Sequence, residues 1–162
     1  MTDSERLQHA LDLAFRYLGH RDRTVFEVRE RLTAEAIEPA VVDDAVDELH
    51  HLGYLDDARY ARQFAEDKRE LDRWGSERIA QDLRRRGIAT QLIDAAVSTH
   101  DRDSELRTAL LLLRQRYPHA PRDDRERDRA WQMLVRRGYS PDLSYDAIRT
   151  WERTERERRR AA

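Results

Sequence analysis

The residues able to do chemistry in this chain form three groups: six histidines, a cluster of carboxylates and several runs of arginine. The histidines are His9, His20, His50, His51, His100 and His119, and they are scattered. Two imidazoles share a metal ion when they sit one turn apart on a helix, whereas the adjacent His50 and His51 point about 100° apart. No metal site is expected from them. The chain has no cysteine, which excludes disulfides and thiolate ligands. No glycine-rich phosphate loop is present. No catalytic residue is therefore assigned, no cofactor is expected, and the chain is read as a non-enzyme.

The carboxylates Asp43, Asp44, Asp47 and Glu48 pair as i,i+4 neighbours, which places like charges side by side on a helix. Such a face can gather a divalent ion or the basic patch of a protein partner. A solvated helix face is the plainer reading. Acid–base catalysis would need an enclosing pocket to drive two carboxyl pKa values apart, and the sequence supplies none. The strongest basic run is Arg84-Arg85-Arg86, just before Gly87, with Arg136-Arg137 before Gly138 as a second instance. Cations at a helix carboxyl end complement its dipole. Three in a row exceed that need, and Lys68, Arg69, Arg73 and Arg78 belong to the same segment. These seven cations are the candidate partner-binding surface, suited to acidic protein patches or phosphates. Asp43, Asp44 and Asp47 are the second candidate group. Trp74 reads as a core or gap filler between helices ahead of a partner hot spot, and Arg21 and Arg23 as a polar turn.

The elements that must position these groups are helices. Charged residues make up 40% of the 162 positions and hydrophobic ones 39%, which favours amphipathic helices over a sheet-built core. Five glycines and four prolines are too few for a hairpin-rich fold. Residues 1–57 carry 6 basic against 14 acidic side chains, net −8, while 58–100 are net +2 and 101–162 net +4. Two surfaces of opposite sign follow, suited to a partner that is itself mixed in charge.

A repeat of 51 residues organises the chain. It aligns Leu32 with Leu83 and Leu134, Ala45 with Ala96 and Ala147, and Val46 with Val97 and Ile148. It also aligns Ala36 with Gly87 and Gly138, Ile37 with Ile88 and Tyr139, and, over two steps, Pro39 with Pro141. Each repeat predicts three helices. The first has an apolar stripe of Leu7, Ala10, Leu11, Ala14 and Leu18, closed by Gly19 in the left-handed conformation. Thr24 caps a second helix and Pro39 opens a third that stops at Gly53. In the second repeat Asp56 and Asp57 favour a helix start, and Ala58, Ala61, Ala65 and Lys68 trace a stripe. Ser76 or Gly75 opens the next helix and Gly87 stops it. Ser140-Pro141 opens the last one. Beyond Trp151 arginines alternate with glutamates, which suits either a solvated helix or a frayed end.

The motifs resemble a known family. Ala14-Phe15-Arg16-Tyr17-Leu18, then Arg21-Asp22-Arg23-Thr24 and Glu27-Val28-Arg29-Glu30-Arg31-Leu32, are similar to its opening signature. Leu52-Gly53-Tyr54-Leu55-Asp56-Asp57 followed by Tyr60-Ala61 resembles its most recognisable segment, and Trp74-Gly75 with Asp82-Leu83-Arg84-Arg85-Arg86-Gly87-Ile88 the next block. These belong to the RecX regulators, over roughly residues 7–151. Ala36, where the family often has glycine, and the third repeat depart from the pattern. The resemblance implies tandem three-helix repeats, a cytoplasmic protein, and binding in the groove of a RecA filament that inhibits ATP hydrolysis, strand exchange and repressor co-cleavage. It transfers no catalytic residue.

The expectations are these. The fold is all-α, an elongated array of three helix-turn-helix-like repeats at 1–53, 54–100 and 101–151, with a charged tail at 152–162. The function is modulation of the RecA filament in DNA repair; the alternative is a helix-turn-helix-like DNA-binding repressor. The protein is expected to be a monomer away from the membrane, with weak nonspecific DNA contact left open.

Overall fold

The computed structural model describes residues 1–162 and contains nine α-helices and no strand. In chain order they are α1 (Asp3–Leu18), α2 (Val25–Ala34), α3 (Pro39–His51), α4 (Asp57–Asp72), α5 (Ser76–Arg85), α6 (Thr90–Val97), α7 (Arg102–Arg116), α8 (Asp124–Arg137) and α9 (Pro141–Ala161). The chain is thus all-α, in three successive triplets. No helix is long and apolar enough to cross a membrane.

The starts of the helices follow from side chains that satisfy otherwise orphaned N–H groups. Thr2 and Thr24 accept the N–H of Glu5 and Glu27, whose carboxylates accept the threonine N–H in return. Asp101, Asp123 and Ser140 cap α7, α8 and α9, and Pro39 and Pro141 lie in the first turns of α3 and α9.

The ends repeat one device at the expected spacing. Ile37, Ile88 and Tyr139 donate their N–H to the carbonyls of Leu32, Leu83 and Leu134, each at 3.1 Å. Residues 36, 87 and 138 immediately before them are left-handed, with φ of 58°, 78° and 100°. Glycine takes that conformation freely at two of these positions, and Ala36 takes it at a cost. Gly53, at φ 81°, ends α3 similarly. Gly19 does not behave as its type suggests. Its φ is −66°, within the helical region, and its N–H simply continues the ladder to the Phe15 carbonyl. Any residue satisfies that geometry.

By packing, the chain divides into two compact units, Met1–Gln63 with Leu83–Ala96, and Phe64–Asp82 with Val97–Ala162. The division falls inside α4 and α5 and before the last residue of α6. In unit 1, α1, α2 and α3 pack in all three pairings. Their stripes meet as Ala10, Leu11 and Ala14, Val28 and Leu32, and Val42, Ala45, Val46 and Leu49, closed by Leu55. In unit 2, α9 packs against both α7 and α8. Ala109, Leu112, Leu113, Met133, Leu134, Leu143, Ile148 and Trp151 fill that core, with Tyr139 buried beside them. Small residues let the helices approach closely, and burial of the larger aliphatic side chains stabilises by about 1.5–3 kcal/mol each.

Candidate functional site

The cations predicted as one surface fall into different settings. Arg69 is only 5% exposed, which removes it from any solvent-facing patch. The buried stripe of α4 runs through Ala61, Ala65 and Arg69, with Lys68 half-buried at its edge. Within unit 2 the Arg69 guanidinium donates to Thr99 Oγ1 at 3.2 Å, Ser76 Oγ at 3.0 Å and the Val97 carbonyl at 2.7 Å. Ser76 in turn donates from both N–H and hydroxyl to Glu105 Oε1, at 2.7 and 2.5 Å. Arg69 Nε has no acceptor. Burial pushes the Arg69 pKa down. Burial, with the Arg69 charge second, also pushes His100 down. Arg69 is a polar pin of unit 2, holding α4 to the start of α5 and the end of α6.

Two other predicted residues converge on an aromatic ring in unit 2. The Lys68 ammonium lies 4.7 Å from the Trp74 ring centroid and the Arg78 guanidinium 3.9 Å from it. The negative face of an indole attracts both. Phe64 meets the same ring edge-on, with centroids 6.3 Å apart. Lys68 also pairs with Asp72 at 3.2 Å. Trp74 is thus more than a filler, since it gathers the cations on either side of its loop. Arg73, left-handed at φ 55°, acts through its backbone, where its carbonyl accepts the Tyr139 hydroxyl at 2.7 Å. Burial raises the Tyr139 pKa, so the hydroxyl stays a donor.

The backbone here is built for close approach. Gly75 donates its N–H to the Arg137 carbonyl at 2.9 Å, and Glu77 donates to the Gly138 carbonyl at 3.0 Å. A Cβ on Gly75 would lie 2.4 Å from the Gly138 oxygen, so only glycine admits the contact. The carboxyl end of α8 therefore meets the amino end of α5 carbonyl to N–H.

Unit 1 contains the equivalent junction 51 residues earlier. Thr24, the counterpart of Gly75, donates its hydroxyl to the Arg86 carbonyl at 2.6 Å. A Cβ on Gly87 would meet the Phe26 Cβ at 2.2 Å. Next to this junction lies the other set of predicted cations. Arg84 and Arg85 are exposed, while Arg86 is half-buried and hydrogen-bonds the Tyr60 hydroxyl. Arg21 reaches the same hydroxyl at 3.4 Å and pairs with Glu27 at 2.9 Å. The hydrogen bond to Glu27 raises the Arg21 pKa further. The polar turn around Arg21 is therefore part of a basic–aromatic cluster that sequence reasoning missed. Tyr60, already prominent in the motif, was the available signal.

The acidic candidates are on the exposed face of α3. Asp43 pairs with Arg29 at 2.6 Å, and Asp44 and Asp47 are exposed beside it. Chemically, the two units present guanidinium and ammonium groups held by aromatic rings. That equipment binds carboxylates or phosphates through charge-assisted hydrogen bonds.

With that geometry in hand, comparison with known proteins is specific. Residues 10–49 match the family model for RecX, first three-helix domain, and residues 56–97 that for RecX, second three-helix domain. Regulatory protein RecX of Deinococcus radiodurans is 36% identical, over 91% of this chain and 71% of its own length. Its namesake in Mycobacterium sp. (strain JLS) is 31% identical, over 98% and 91%. One from Lactobacillus delbrueckii subsp. bulgaricus (strain ATCC BAA-365 / Lb-18) is 42% identical over 59% of this chain, and the match spans 35% of that relative. In fold the chain is similar to the crystal structure of RecX from Lactobacillus salivarius, with TM-score 0.81, 20% identity, and coverage of 92% and 98%.

Proposed function

Because the chain belongs to the RecX family, we propose that it regulates by binding: it engages the RecA nucleoprotein filament and restrains its ATPase, recombinase and co-protease activities. The observation that carries this reading is the order of the two matched three-helix domains, residues 10–49 then 56–97, bearing oriented cations instead of a reaction centre. A filament repeats the same acidic and basic surfaces along its length, and a chain with an acidic first triplet and basic later ones matches a partner of mixed charge. Occupying such a groove hinders the protomer motions that turnover requires. Regulation of DNA repair and a cytoplasmic setting follow from that target.

Arg84 and Arg85 are the first side chains to test, because both are exposed in unit 1, whereas Arg86 supports Tyr60 and its loss would confuse contact with folding. The assay is ATP hydrolysis by RecA on single-stranded DNA, titrated with the purified protein. The parent chain is expected to inhibit. The variant R84E/R85E, with unchanged helical circular dichroism, is expected to require at least about tenfold more protein, equivalent to ~1.4 kcal/mol. Undiminished inhibition by the folded variant removes this surface from the interface. Absence of inhibition by the parent chain overturns the filament reading itself.

A further inference from the structure

Helix α9 outlasts its counterpart in the first triplet. Both α3 and α9 begin at the equivalent prolines Pro39 and Pro141, yet α3 has 13 residues and α9 has 21. Residues from Thr154 onward therefore have no partner position in α3. No residue after Trp151 is fully buried, and the tertiary contacts beyond it are polar: Glu152 pairs with Arg127 and Glu155 accepts the Ala120 N–H. The extension also forms one wall of a groove in unit 2, opposite the end of α7 and the loop after it.

The groove has a volume of about 440 Å³ and is lined by Arg114, Tyr117, His119, Trp151, Arg158 and Arg159, among others. Three guanidinium groups thus face one space. Arg159 lies 3.9 Å from Glu155 Oε1, whose other oxygen accepts the Ala120 N–H at 2.5 Å, so Glu155, which also lines the groove, offsets one of the three positive charges. Arg114 and Arg158 have no carboxylate within ion-pair distance. An excess of positive charge is therefore held open beside the half-buried Tyr117 ring, which packs on the buried Trp151 with centroids 6.3 Å apart. Arginine forks match phosphate oxygens in pairs, and rings accept nucleobases by stacking whatever their identity.

We propose that this groove, formed by α7, the 117–121 loop and the extension of α9, binds a segment of single-stranded nucleic acid, with phosphates on Arg114, Arg158 and Arg159 and a base against Tyr117. A pocket of this size suits one or two nucleotides at a time. A duplex stacks its bases inward and leaves none for the ring. The site does not depend on the filament reading, since the strand is bound directly and all its residues lie outside the two matched domains.

The test uses the full chain and fluorescence anisotropy with a labelled oligothymidylate of about ten nucleotides, a length within single-strand site sizes. The parent is expected to bind, with affinity falling as salt rises. R114A/R158A/R159A should bind at least about tenfold more weakly with a shallower salt slope, and Y117A should weaken binding about fivefold or more without changing that slope. R153A/R156A removes two exposed arginines of the same helix that lie outside the groove, and should bind as the parent does. Several results would overturn the proposal: no binding by the parent, equal losses in the groove and control variants, or competition by an oligoglutamate or a duplex as effective as that by unlabelled oligothymidylate. The first marks the groove as unused, the second as diffuse charge, and the third as a site for another acidic partner.

Discussion

A single backbone position carries two opposite expectations. Residues 36, 87 and 138 are equivalent and all left-handed, but only the first has a side chain. An L-residue in this region is strained by about 1–2 kcal/mol. Replacing it by glycine relieves the strain while loosening the unfolded chain, at a cost of about 0.4–1 kcal/mol. A36G is thus expected to stabilise the protein by roughly 0.5–1 kcal/mol, seen as a higher midpoint in urea. G87A reverses the argument and adds a collision, since the new Cβ would fall on Phe26 at its own Cβ, where no rotamer change helps. Strain and overpacking together should cost on the order of 3 kcal/mol. Equal midpoints for parent and G87A would show that α2 shifts freely to make room. The residue scale also shows where pattern reading stops. Glycine marked the left-handed positions at 53, 87 and 138, but not at Gly19, where the helix needs nothing special. Conversely, the one-position difference between Lys68 and Arg69 on the α4 stripe was not legible: spacing from Ala61 and Ala65 put Lys68 on the stripe, whereas the buried cation is Arg69. Burial of Arg69 depends on acceptors from Ser76, Val97 and Thr99 that pattern alone does not bring near it.

At the scale of helices, starts and stops were legible because they are local. A threonine three residues before a glutamate, a proline after a serine, and a glycine after basic residues each act within one turn. The junctions between helix ends were not legible, since their partners are distant in sequence. Thr24 illustrates both. Its cap to Glu27 is readable from the motif, whereas its bond to the Arg86 carbonyl spans 62 positions. The hydroxyl is fully buried and serves both partners at once. Thr24→Val keeps the shape and removes both bonds, leaving a buried N–H and carbonyl unpaired. The expected loss is about 2–4 kcal/mol, from one cap and one buried acceptor, measured by chemical denaturation. Thr24→Ser should recover most of it. If the valine variant matched the parent, the hydroxyl would be idle at this junction, and packing of Phe26 on Gly87 alone would hold it.

At the scale of the whole chain, the 51-residue repeat revealed nine helices in triplets, while packing groups the residues as two units. Periodicity records where apolar stripes recur along the chain. It carries no information on which neighbour a helix end meets. Residues 72–78 show the consequence. They lie in the middle triplet, yet within unit 2 they are held by residues far downstream: Asp72 by Arg137, Arg73 by Tyr139, Gly75 by Arg137, Ser76 by Glu105 and Glu77 by Gly138. A chain ending at residue 97 retains both segments that match the family models but loses every one of these partners. Arg73 then keeps its left-handed backbone without the bond that fixes it, and the Trp74 loop is left with its local bonds alone, the Trp74 N–H on the Lys68 carbonyl and Arg69 on Ser76. Local opening costs least where buried contacts and backbone bonds have been removed. Chymotrypsin should therefore cut after Trp74 at least about tenfold faster in the 1–97 fragment than in the full chain, in the regime where cleavage follows the population of the open form. Equal protection would mean that the second triplet closes on its own, and that the downstream partners of residues 72–78 decorate a loop already formed.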